Sequence, residues 1–169
     1  MPFRLNDLLL SQHQAALATL QKCVELCPED CWNQKVANLP ISTVAFHTLF
    51  WTDMYLERNT EHLQDQEFHK SNSEIFGEYE ELNFERQVQT YTRAHVVSYL
   101  EFCRDKAAKV ISAETEESFA EKSGFEWLDC SRAEVHVYST RHIQHHASQI
   151  SLRLRIDHGA EIPWVKQGA

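Results

Sequence analysis

Glycine and proline are scarce, with only four of each among 169 residues. Tight turns lean on the positive φ that glycine tolerates and the fixed φ of proline, so many short strands joined by turns are not expected. Basic residues are also outnumbered: 16 Lys and Arg face 25 Asp and Glu, for a formal net charge of −9. Nucleic-acid affinity rests largely on Lys and Arg contacts to phosphate, and a nucleic-acid partner is therefore not expected. The cysteines Cys23, Cys27, Cys31, Cys103 and Cys130 are odd in number and contain no CxxC pair. Such a set does not form an oxidised secreted framework, and a reducing cytoplasmic setting is expected. Long hydrophobic runs are missing as well. The three leucines before Gln12 are too few for a signal peptide or a membrane span.

What remains is 43% hydrophobic and 24% charged, a balance suited to one helical domain over residues 1–169. Leu5, Leu8, Leu9, Ala16, Leu17, Leu20 and Val24 recur at helical spacing, which predicts a first helix from about Phe3 to Cys27, ended by Pro28. A connector to Pro40 follows, with a short helical turn expected around Trp32 to Val36. A second, mostly apolar helix is expected from Ile41 or Ser42 to about Arg58.

Residues 59–90 lack a clean period and read as a long crossover with one short helix. Its His62 and His69 are expected to be solvated, and Phe68, Phe76, Tyr79 and Phe84 are candidates to line a site mouth. Thr92 is placed to cap a third helix that ends near Ser112, with His95 as a polar residue of its first turn. An acidic connector then leads to the clearest start signal in the chain. Ser131 followed by Glu134 is a capping box, opening a last helix to about Asp157 that His158 and Gly159 stop. Four helices and two long connectors predict a four-helix bundle without a sheet.

The chemistry concentrates in the last helix, at RHIQHHASQ, residues 141–149. Residues four apart share a helix face, so His142 and His146 point the same way, while His145 lies off that row. Cys23, Cys27 and Cys31 also fall at intervals of four, but Pro28 breaks the row and buried cysteine commonly behaves as a small hydrophobe. For the imidazoles, the candidates to orient the second nitrogen are Tyr138 and Gln149 on the last helix, and Thr43, Trp51 and Asp53 on the second. Arg153 is placed to meet an anionic substrate or to pair with an acidic neighbour.

The segment RHIQHHASQ resembles the final helix of the DinB/YfiT-like metal-dependent four-helix bundles. FHTLFWTDMYL around His47 is similar to the segment carrying that family's first ligand, and GAEIPWV, residues 159–165, to its tail. The resemblance implies an open metal site of His47, His142 and His146, with His145 off that row and reaching a carboxylate, a carbonyl or the site rim. Three neutral imidazoles suit Zn²⁺ or Ni²⁺ and leave a coordination position for water or substrate. The implied activity is metal-dependent transfer of a low-molecular-weight thiol or hydrolysis of a small substrate. The alternative is a non-catalytic stress or interaction protein stabilised by its ion. Apolar helix faces also leave a homodimer open.

Overall fold

The structure is a computed structural model that describes residues 4–76 and 91–168. It is mostly helical. Four long helices, α1 (Leu5–Leu26), α2 (Ile41–Leu56), α5 (Arg93–Ala113) and α7 (Arg132–His158), are joined by segments carrying the short helices α3 (Glu67–Ser71), α4 (Ser73–Phe76) and α6 (Glu116–Ala120). No described helix is long and apolar enough to cross a membrane.

Each long helix forms where its apolar residues recur on one face. On α1, Leu9, Ala16, Leu17, Leu20, Cys23 and Val24 are buried, and the helix stops where Cys27 turns extended ahead of Pro28. Nearly all of α2 is buried, and two of its inward hydroxyls are satisfied by their own helix. Thr48 donates to the Val44 carbonyl and Thr52 to the Thr48 carbonyl, each at 2.7 Å. The Thr92 hydroxyl accepts the His95 N–H at the start of α5. At α7 the capping box forms in full between Ser131 and Glu134, and Gly159 closes the other end at φ 64°. That left-handed conformation costs glycine least.

Both α1 and α2 pack against α5 and α7. The core between them holds Leu17, Leu20, Phe46, Phe50, Tyr99, Leu100, Ile143 and Ile150, all at 2% exposure or less. A smaller cluster at one end joins Leu9, Leu56, Ala107 and Ile111 to Phe119 of α6.

Several expectations are corrected. A small sheet does form: β1 (Lys35–Val36) pairs antiparallel with β2 (Leu39–Pro40), turning through Ala37 at φ 55°. The helical turn in this connector falls earlier, as a 3₁₀ turn at Glu29–Cys31. The crossover contains a 3₁₀ turn at Leu63–Asp65 and two short helices rather than one. His69 within it is buried at 1% exposure, because its Nε2 lies 2.6 Å from the carboxylate of Asp53. Half-buried Phe68 and buried Phe76 pack on Tyr99, whereas Tyr79 and Phe84 lie outside the described residues.

One buried histidine makes the fold sensitive to acid. His13 on α1 is fully enclosed, its Nε2 3.4 Å from the Ser139 hydroxyl and its Nδ1 without a hydrogen-bond partner. Burial, assisted by His136, pulls its pKa from 6.5 down to about 3. The unfolded chain therefore binds this proton more readily, so stability present above pH 6.5 is lost as the pH falls towards 3. At pH 4.5 this single group accounts for a loss of about 2–3 kcal/mol. His13→Leu is expected to be near-neutral at pH 7.5 and to reduce the acid loss by that amount, measured by urea denaturation at both pH values.

Candidate metal centre

The middle of α2 crosses α7 where both helices present imidazoles inward. His47, His142 and His146 each offer a ring nitrogen, and the three nitrogens lie within 4.8 Å of one another. The rings sit 5.4 Å (His47 to His142), 5.0 Å (His47 to His146) and 4.6 Å (His142 to His146) apart between centroids. All three are half-buried. The one-turn spacing on α7 aligns His142 and His146, and helix packing alone brings His47 to them.

One set of tautomers satisfies the hydrogen bonds around the site. His146 Nδ1 lies 2.9 Å from Gln149 Oε1, and Gln149 Nε2 lies 3.0 Å from His145 Nε2. With Gln149 donating to His145, its carbonyl accepts Nδ1–H of His146 and the His146 Nε2 lone pair points into the site. His142 Nε2 then faces it at 3.1 Å and donates to it, while His142 Nδ1 is buried without a partner. Binding an ion at both Nε2 atoms requires the His142 proton to move to Nδ1. A tetrahedral zinc with Zn–N bonds of about 2.0–2.1 Å holds two nitrogens roughly 3.3–3.4 Å apart, close to the 3.1 Å between the Nε2 atoms of His142 and His146.

Electrostatics keep His142 and His146 neutral. Burial first, then the neighbouring His146, His47 and His145, pulls the pKa of His142 down to about 3. Burial likewise lowers His146 to about 4, with His47 and His145 adding to it against the opposing hydrogen bond from Gln149. Neutral imidazole is the form that ligates a metal.

The surrounding candidates divide. Gln149 touches His146 directly, and exposed His145 stands behind Gln149 at the rim. Trp51 meets the His47 ring edge-on at 6.4 Å. Thr43 is buried one turn before His47. Tyr138 packs edge-on against Tyr55 at 5.3 Å, and lines an open hollow of ≈680 Å³ together with Arg141, His142, His145, Gln149 and Leu152.

Asp53 does not serve the histidines of the site. Its buried carboxylate accepts from Tyr99 at 2.8 Å and Gln66 at 3.3 Å, and pairs with His69 and Lys106. Burial raises its pKa, but His69 and Lys106 outweigh that and leave it below the usual carboxylate value. The network ties α3 to α2 and α5. Arg153 pairs with Asp157 at 2.5 Å on the surface of α7 rather than facing the three histidines.

The cysteines join no cluster of three or more metal-ligating side chains among the described residues. Cys23, Cys27, Cys31 and Cys103 are buried. Cys31 Sγ sits 2.7 Å from His158 Nε2, and burial with Asp30 nearby pushes its thiol up to about 11.

Comparison with protein-family models, with curated proteins and with solved structures gives no match for this chain.

Proposed function

We propose that this chain is a divalent-metal protein built as a four-helix bundle of the DinB/YfiT-like kind. In this reading His47, His142 and His146 hold Zn²⁺ or Ni²⁺, and the protein is a metal-dependent enzyme that transfers a low-molecular-weight thiol or hydrolyses a small substrate. The observation that carries it is the convergence of three ring nitrogens within 4.8 Å. Bound there, the ion would supply Lewis acidity, lowering the pKa of a water or thiol that enters its open position.

The chain's own residues do the rest. Gln149 sets the tautomer of His146, the depressed pKa values keep His142 and His146 available as ligands, and the half-buried setting limits water around them. The five cysteines, all free thiols, support a reducing, cytoplasmic setting. The second reading is a non-catalytic protein in which the ion ties α2 to α7, and the origin of the ligands on two different helices favours it.

Metal titration tests the metal reading. The protein purified without chelator is expected to carry, or to regain from zinc or nickel, one equivalent per chain by elemental analysis. No stoichiometric metal under either condition would overturn it.

A further inference from the structure

The two rows that carry the histidines do not stop at the histidines. On α2 the row runs His47, Trp51, Tyr55, each one turn apart; on α7 it runs His146, His142, Tyr138. His47 lies against His142 and His146, while Tyr55 lies against Tyr138 at 5.3 Å and His142 at 6.5 Å between centroids. The helices are thus antiparallel, and both rows leave the imidazoles in the same direction and turn aromatic. The loop before α7 completes this wall. Trp127 meets Trp51 at 5.9 Å and 89°, and Phe125 backs both Tyr55 and Trp127 at 5.4 Å.

Packing alone does not account for the wall. Tyr55 and Phe125 are buried, as core aromatics are, but Trp127 is 50% and Tyr138 39% exposed. Large aromatic faces held rigidly at the surface beside polar groups commonly mark a binding site. The hollow of ≈680 Å³ beside α7 is lined by Tyr138 of the wall and by His142 of the candidate ligands, one turn apart.

Resting on the metal reading above, we propose that this site takes a small molecule carrying an aryl group and an anionic oxygen or sulfur donor. The donor fills the open metal position and the ring lies on Trp127 and Tyr138. Charge selects both halves. Three neutral imidazoles leave the double charge of the ion unneutralised, which favours an anionic donor. An aromatic wall could also hold an ammonium group, but so close to a dication that group would be repelled, so the wall takes an uncharged ring.

The test compares phenylacetohydroxamate with acetohydroxamate, two oxygen donors of closely similar acidity, on the cobalt-loaded protein, reading the cobalt d–d bands. The aryl compound is expected to bind about three- to tenfold tighter, the range for a favourable aromatic contact. Trp127→Ala and Tyr138→Ala are each expected to shrink that preference while cobalt content and helical circular dichroism stay unchanged. Cobalt retained with equal affinities, with no hydroxamate binding, or with a preference that neither variant alters, overturns the aryl subsite alone. Failure to retain cobalt overturns the metal reading and the subsite together.

Discussion

His146→Ala is expected to weaken zinc binding by about two orders of magnitude while leaving the metal-free protein folded. Structural zinc sites contribute about 10–16 kcal/mol over four ligands, so one ligand is worth roughly 3 kcal/mol, or a hundredfold in affinity. Competition against a chromophoric chelator measures it. The fold tolerates the change because His146 is half-buried and neutral, with its Nδ1 bonded to Gln149 near the surface of α7. Zinc at 100 times its Kd should raise the stability of the natural protein by about 2.7 kcal/mol whether the ion is structural or catalytic, with much less effect on the variant. Loss of substrate turnover in the folded variant favours the enzyme.

Arg132→Met is expected to cost about 3–5 kcal/mol, because it removes one partner of a buried charge pair. Arg132 is the first residue of α7 and fully buried. Its Nη1 donates to the carbonyls of Tyr55 and Glu57 at 2.8 Å and its Nη2 to that of Leu56 at 3.0 Å, so one guanidinium caps the end of α2. Its Nε donates to Glu114 at 3.0 Å, and the same carboxylate receives His136, Arg58 and Ser118. Burial raises the Glu114 pKa, but the bonds from Ser118, Arg132 and His136 outweigh it and hold the carboxyl at about 2. Without Arg132, Glu114 is left under-compensated and three helix-end carbonyls lose their donor. A double variant with Glu114→Gln is expected to recover part of the loss, since it removes the stranded charge. Denaturant midpoints of the three proteins check both statements.

Local signals carried much of the architecture. The α7 start was legible at Ser131 and Glu134, its end at Gly159, and the α5 cap at Thr92, because capping depends on residues within one turn of each other. The alignment of His142 with His146 was legible for the same reason, since helical periodicity sets it regardless of what packs nearby.

The remainder depends on contacts between residues far apart in the chain. His69 reads as an ordinary loop histidine until α3 lies over α2 and Asp53 accepts its proton. Asp53 reads as a neighbour of His47 until the same packing engages it elsewhere: residues six apart on a helix do not share a face. Nothing near Arg132 in sequence announces that it caps a helix ending at Leu56. By itself the sequence determined a mostly helical chain with two imidazoles in register on its last helix. Only the tertiary structure decided that His47 meets them and that Trp51, Tyr55, Trp127 and Tyr138 form a wall beside them, because such meetings are set by how helices cross and not by the spacing within any one of them.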